Sequence, residues 1–304
     1  MLDVTLLGCG GMMPLPNRFL TSLLARYNGM SVLIDCGEAT QIALRKSSLS
    51  PNPIGIMCIT HFHADHISGL PGMLLTMGNA ERTEPLIMIG PKGLHKVVSS
   101  LRIIAPELPF EIICMEIEGA EQTFEFDGMF IDAFKVNHNV LCYGYSIRIP
   151  RLGKFDLEAA MKLPIERRYW GILQSGESVT VDGVTYTPDM VMGPARTGIK
   201  LTYTTDTRPV RTIADHAKYA DLFICEGMYG DDEQLDKAVA RKHMTFREAA
   251  ELAAKAHPKK MWLTHFSPSL IKAEPYMKHV RSIFPEAEAG KDGKHIDIAF
   301  GEDT

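Results

Sequence analysis

The run His61-Phe62-His63-Ala64-Asp65-His66 places four metal-binding side chains within six positions. Imidazole and carboxylate together suit zinc and similar divalent ions, and manganese or iron fits the same set. The apolar segment Ile54–Ile59 reads as a buried strand leading straight into the run. Alternate residues of an extended segment point the same way, so His61 and His63 can grip one ion together. Asp65 and His66 follow where the chain would turn into a helix, within reach of a second ion. Ions roughly 3.5–4 Å apart can clamp both the attacking and the leaving oxygen of an ester. Four side chains do not close two such sites, and strand ends are where a sheet presents more. His138 follows Ile131–Val136, Asp206 follows Lys200–Thr204, and His265 follows Met261–Thr264. His243 stands just before Met244-Thr245, at a loop-to-helix junction of the kind that carries active-site residues. His95, His216, His257 and His279 fall in helical segments and His295 opens the last strand, so these read as ordinary surface positions.

Such side chains need a scaffold of strands and turns. Val4–Leu7 reads as a short strand entering Gly8-Cys9-Gly10-Gly11. Asn28-Gly29, between Thr21–Tyr27 and Met30–Asp35, is the strongest short hairpin signal. Asp127-Gly128 and Asp182-Gly183 predict further hairpins. Ile67–Met77 and Lys92–Ile104 have helical spacing, while Leu86–Gly90 and Phe110–Ile117 read as strands. In the last third, Lys200–Thr204, Leu222–Cys225, Met261–Thr264 and Ile296–Phe300 predict strands and Val210–Tyr219 a helix. Thr245-x-x-Glu248 is a capping box that opens an alanine-rich helix to about His257. The mixed, polar stretch at about 150–180 reads as an arm or insertion, with a short helix over Phe155–Lys162. Strands dominate both halves and helices follow them in each. That predicts the α/β class, a layered sandwich of sheets with helices outside, in one domain over residues 1–304.

The composition, 45% hydrophobic and 23% charged, is that of an ordinary globular protein, and 304 residues suffice to bury a sizeable core. The formal net charge of −5 supplies no global field that would attract nucleic acid. A polyanionic substrate therefore needs a local patch or the charge of bound metal. A module that only binds nucleic acid should carry a basic stripe, which the acidic balance disfavours. The six cysteines are scattered without a Cys-x-x-Cys pair, which predicts reduced thiols and a cytoplasmic location. Met1-Leu2-Asp3-Val4-Thr5 lacks the basic start of a signal peptide. No apolar run approaches the roughly 20 residues of a membrane span, so no membrane partner is expected.

These residues resemble the metallo-β-lactamase superfamily, whose signature is His-x-His-x-Asp-His, and within it the ribonuclease Z family of tRNA 3′-processing endonucleases. The resemblance covers nearly the whole chain. Leu7-Gly8-Cys9-Gly10-Gly11 with Pro14, Arg18 and Ser22 is similar to the family's opening, and Leu33-Ile34-Asp35-Cys36-Gly37-Glu38-Ala39-Thr40 to its first motif. Thr60 through His66 with Gly69 is similar to the second, His138 with Tyr143-Gly144-Tyr145 to the third, and Thr205-Asp206-Thr207 to the fourth. Thr264-His265-Phe266-Ser267 is similar to the fifth, His243-Met244-Thr245 to the His-x-Thr motif, and Cys225-Glu226-Gly227 to the His-Glu-Ala segment. The resemblance implies an αββα sandwich, two mixed β-sheets flanked by helices, with the metals at one edge. It implies a first zinc on His61, His63, His138 and Asp206, and a second on Asp65, His66, His265 and a bridging Asp206. It implies Asp65 as general base, His243 as proton donor oriented by Glu226, and Asp35 as a hydrogen-bonding support of the metal shell. It also implies a homodimer.

The activity implied is zinc-dependent endonucleolytic removal of the 3′ trailer from precursor tRNA. The alternative is hydrolysis of a small phosphodiester, such as a cyclic nucleotide, or of another ester. Three departures from the family pattern bear on the substrate rather than the metals. Glu166-Arg167-Arg168 stands where the family's tRNA-grasping arm commonly carries Gly-Pro. Arg167 and Arg168 can meet phosphates and Tyr169 or Trp170 can stack on a base, though a solvated turn fits equally. Ser267 continues as Pro268-Ser269-Leu270 where the family often has Arg-Tyr, so a phosphate-binding arginine is missing, and Thr205 replaces a glycine.

Overall fold

The computed structural model describes residues 1–301. Its first sheet is built from β1 (Leu2–Gly8), β2 (Ser22–Tyr27), β3 (Met30–Ile34), β4 (Ile54–Cys58), β5 (Leu86–Gly90) and β6 (Ile112–Glu116). Between them lie the helices α1 (Thr40–Lys46), α2 (Ala64–Ile67), α3 (Leu70–Asn79) and α4 (Leu94–Leu101). The chain then forms β7 (Glu121–Phe126), β8 (Met129–Lys135) and β9 (Tyr143–Arg151). After them come α5 (Leu157–Lys162), α6 (Trp170–Gln174), β10 (Val179–Val181) and β11 (Val184–Tyr186). The last part runs β12 (Arg196–Thr204), α7 (Arg211–Ala217), β13 (Leu222–Glu226), α8 (Leu235–Arg241), α9 (Phe246–Ala256), β14 (Met261–Thr264), α10 (Glu274–Ile283), β15 (Ala287–Ala289) and β16 (Lys294–Ile298).

Two compact units result, one of Met1–Arg148 with Lys200–Ala299, the other of Ile149–Ile199 with Phe300 and Gly301. The larger unit holds two seven-stranded sheets, ordered β16-β1-β2-β3-β4-β5-β6 and β15-β14-β13-β12-β9-β8-β7. Both are mixed. In the first, β1 to β3 pair antiparallel and β3 to β6 parallel. In the second, β7 to β9 pair antiparallel and β12 to β15 parallel. The parallel parts need helical crossovers, which accounts for the helices in each half.

Near-continuous apolar strands are what a sheet covered on both faces requires. In the first sheet Leu7, Leu24, Leu33, Met57 and Met88 pack with Leu44, Met73, Leu74 and Val98 from the helices. The opposite set, Leu6, Leu23, Ile34 and Cys58, is fully buried too. There the second sheet reaches across. The Tyr145 hydroxyl donates to Ile59 O at 2.7 Å, and the Tyr203 hydroxyl lies 2.7 Å from Thr21 Oγ1.

The expected hairpins form at Asn28-Gly29, Asp127-Gly128 and Asp182-Gly183, and each turn residue has positive φ. That is the type I′ geometry these dipeptides favour. Elsewhere the boundaries move. The expected helix Lys92–Ile104 ends at Leu101 and tightens into a 3-10 turn over Arg102–Ile104. The closing strand lies at Lys294–Ile298 rather than Ile296–Phe300, since its register is set by pairing Ile298 with Leu2.

The smaller unit has a core of its own, in which Phe155, Trp170 and Val179 pack on Ala160, Leu173, Tyr186 and Val191. Its first helix begins at Leu157, two residues after the expected Phe155, because the Asp156 carboxylate caps it by accepting from Ala159 N. Phe155 instead bridges to Met192.

Candidate metal centre

The chain leaves β4 at Cys58, bends at Thr60 and is extended again at His63, the N-cap of α2 with ψ 151°. His61 and His63 thus precede a helical turn whose first residues carry Asp65 and His66. His138 arrives from the loop after β8, Asp206 from the end of β12, and His265 from the residue after β14. All seven expected metal-site residues come together, in two groups whose ligand atoms lie within 4.8 Å of one another. One group is His61, His63, His138 and Asp206, the other Asp65, His66 and His265. Asp206 faces both. Its Oδ2 lies 3.7 Å from His61 Nε2 and 3.6 Å from His138 Nε2. Its Oδ1 lies 3.1 Å from His66 Nε2 and 3.0 Å from His265 Nε2.

The packing of nitrogen against nitrogen tests whether a cation fits. His66 Nε2 and His265 Nε2 are 3.2 Å apart, and His63 Nδ1 and His138 Nε2 are 3.3 Å apart. His61 Nε2 and Asp206 Oδ1 are buried without any hydrogen bond of acceptable geometry. Buried polar atoms are rarely left so, and converging imidazole and carboxylate groups are what divalent ions satisfy. The site therefore suits divalent metal.

Electrostatics point the same way. Burial pushes His61 well below the usual imidazole range, and His66 beside it adds to the shift. Burial opposes charge on His66 as well, but Asp206 and Asp35 outweigh it and raise this group well above its ordinary value. His265 is raised to about 10 against the pull of burial, chiefly by Asp206. Burial would lift Asp206, yet His265, His66 and His61 hold it well below the ordinary carboxylate range. The interior of the cluster calls for positive charge.

Surrounding groups aim the rings. Asp35 accepts from Thr60 N at 2.8 Å and lies 2.7 Å from His66 Nδ1, which leaves Nε2 to face inward. Lys242 O lies 3.2 Å from His138 Nδ1, doing the same for that ring. Asp35 and His265 hold left-handed backbone at φ 59° and 57°, uncommon for residues other than glycine and concentrated at functional sites. The glycine loop after β1 is clipped to the loop after β14, with Phe266 N donating to Cys9 O and Gly11 N to Phe266 O. This brings Met12 N to donate to Asp65 Oδ2 at 2.6 Å. It also sets Gly11 against His265, where a Cβ would lie 2.6 Å from ring Cε1.

The expected pair Glu226 and His243 is present beside the cluster. His243 Nδ1 lies 3.2 Å from Glu226 Oε2, and Thr207 N donates to Glu226 Oε1. Burial works against a charged His243, but Glu226 outweighs it and raises the group. Arg167 and Arg168 lie in the smaller unit, on an exposed 3-10 turn. Arg167 sits over the Trp170 ring, and Arg168 pairs with Glu166 at 2.8 Å while lying over Tyr169.

Sequence reasoning missed three cationic residues near the centre. Arg208 binds the Glu248 carboxylate and donates to His243 O, fixing the segment that carries His243. Lys237 and Arg241 line the cavity that opens on the cluster, which also takes in Met12, Asn139 and Tyr229. The one signal for Arg208 is its place two residues after Asp206. Nothing in motif spacing marks the pair on α8.

The family profile described as Anti-Pycsar protein Apyc1 matches residues 2–150. Ribonuclease Z of Agathobacter rectalis is 59% identical over 303 residues, covering 100% of both chains. Ribonuclease Z of Lachnospira eligens is 57% identical with the same coverage. Human tRNase Z, short form, aligns with a TM-score of 0.72 at 25% identity, over 98% of this chain and 100% of that one. YhfI from Bacillus subtilis, described as a metallo-β-lactamase fold protein, aligns with a TM-score of 0.70 at 20% identity over 97% of this chain and 98% of its own. The two mixed sheets with flanking helices are that αββα fold, and the chain belongs to the ribonuclease Z family.

Proposed function

We propose that this protein is a zinc-dependent endonuclease that removes the 3′ trailer from precursor tRNA. The observation that carries the reading is the Asp206 carboxylate, with one oxygen toward each of two groups of buried histidines, in a chain of this family. His61, His63, His138 and Asp206 would hold one ion, and Asp65, His66, His265 and Asp206 the other. When bound, such ions supply Lewis acidity, lowering the pKa of water to about 7 and neutralising phosphate oxygens.

The chain's own groups perform the proton transfers. Asp65, its Oδ2 fixed by Met12 N–H, accepts a proton from the attacking water. His243 carries a proton that Glu226 favours, and donates it to the leaving oxygen. Asp35 keeps the tautomer of His66 and so the direction of Nε2. Arg167 and Arg168 act in the smaller unit as contacts to tRNA phosphates, with Tyr169 and Trp170 as stacking surfaces for bases. The enzyme works as a homodimer in the cytoplasm. The location is supported by six free cysteines and by the absence, among the described residues, of any helix long and apolar enough to cross a membrane.

Incubation with a panel of precursor tRNAs, with metal analysis of the same sample, tests the reading. Cleavage mapped to the start of the 3′ trailer is expected, with zinc near two ions per chain. Metal-loaded protein that turns over bis(p-nitrophenyl) phosphate but leaves every precursor intact would replace it with a small-phosphodiester hydrolase.

A further inference from the structure

Beside the cluster lies a cavity of about 330 Å³ whose floor includes His63, Asp65 and Asp206. One wall is α8, which gives it Lys237 and Arg241. These residues are four apart, so a helix puts them on one face, a turn from each other. Among the described residues, neither lies within ion-pair distance of a carboxylate. Lys237 Nζ lies over the Tyr229 ring at 5.0 Å, and Tyr229 lines the same cavity.

The wall is fixed to the metal centre. Lys242, in left-handed conformation after the helix, donates from Nζ to His138 O at 3.1 Å and offers its carbonyl to His138 Nδ1. Asn139 donates from Nδ2 to Arg241 O at 3.2 Å, and His243 N donates to Ala238 O at 2.8 Å. The last turn of α8 is thus hydrogen-bonded to the segments that carry His138 and His243. Lys237 and Arg241 line the same cavity as His63, Asp65 and Asp206, where a chain of phosphates would pass if one of them occupied the cluster. They also supply local positive charge in a chain whose formal net charge is −5.

We propose that Lys237 and Arg241 form a phosphate clamp that binds the RNA backbone next to the scissile phosphodiester and positions it over the metal centre. The clamp rests on the tRNA reading above. It makes this cavity specific for a polynucleotide over an ester with a single phosphate, since only the former offers a second phosphate to α8.

The test compares the metal-loaded enzyme with K237Q/R241Q and with R241K, after confirming equal metal content. Glutamine keeps helix propensity at both positions. For a precursor tRNA, the double variant should raise KM about tenfold or more and change kcat much less. The slope of log kcat/KM against log salt should become shallower by about 1.4, from roughly 0.7 per single-strand contact. The loss on bis(p-nitrophenyl) phosphate should be at least severalfold smaller, and R241K should recover most of the precursor binding. Unchanged KM and salt slope, or equal losses on both substrates, overturns the clamp and leaves the functional reading standing. A wild type that cleaves no precursor overturns both.

Discussion

Asp206 lends an oxygen to each half of the metal centre, and the residues around it are fixed by contacts that single substitutions can break. Gly11 is one, because its missing Cβ lets the loop after β1 lie on the His265 ring. Gly11→Ala should displace that ring, lower metal content by up to one ion per chain and cut turnover at least tenfold, of the size expected for a misplaced catalytic group. Elemental analysis beside an activity assay checks it, and full metal content with full activity would show that the loop yields. His243→Ala should keep both ions and slow the reaction, least for substrates with good leaving groups. A loss equal across p-nitrophenyl and alkyl esters would count against proton donation. Far from the centre, Asp132 pairs with Arg148 through both carboxylate oxygens. Burial alone would raise Asp132, but Arg148 and Thr123 hold it below its ordinary value. A carboxyl lowered by folding stabilises above its unfolded pKa, and that gain vanishes as pH falls through the folded one. Asp132→Asn should therefore cost about 1 kcal/mol at neutral pH, and the gap to wild type should close below about pH 4. Urea unfolding at several pH values measures it.

At the scale of elements, one helix start beside the chemistry is closely specified. Thr245 and Glu248 form a reciprocal cap, with Thr245 N donating to Glu248 Oε2 at 3.0 Å, just after His243. Thr245→Ala should lower stability by about 1 kcal/mol, the usual worth of an N-cap. It should also slow turnover, since the segment entering α9 carries His243. Urea midpoints and kcat of the same sample decide whether the two effects go together. This cap was legible in the sequence, as were the Asn-Gly and Asp-Gly hairpins, because each is decided by a few adjacent residues. α1, α8 and α10 were not. None has a side chain capping its N-terminus, and α1 starts after Ala39 in left-handed conformation, so no local cap marks where they begin. β9 escaped for a related reason. No tight-turn dipeptide joins it to β8, and its other neighbour, β12, is distant in the chain.

Across the whole molecule, the metal centre joins residues that the chain separates widely. His66 and His265 meet at 3.2 Å across 199 positions. Sequence reasoning reached such pairs through one physical rule, that sheets present ligands at strand ends, and the rule held for His138, Asp206 and His265. It had no comparable hold on α8, whose Lys237 and Arg241 look like any solvated helix face until the fold turns them toward the cavity. Nor did the mixed, polar stretch at about 150–180, read as an arm or insertion, reveal that Ile149–Ile199 forms a unit with a packed core of its own. The net charge of −5 is likewise a property of the sum, and says little about a wall that carries Lys237 and Arg241.

His265 would hold a proton up to about pH 10, and His66 is raised as well, so metal and hydrogen ions contend for the same lone pairs. Loading the protein at neutral pH is then an exchange reaction that acidifies its surroundings. Calorimetric titration with zinc should show an apparent heat that depends on the ionisation enthalpy of the buffer, with a slope equal to the number of protons ejected. Affinity should weaken as the solution is made more acid. A heat identical in phosphate and in an amine buffer would mean that the rings were already bare.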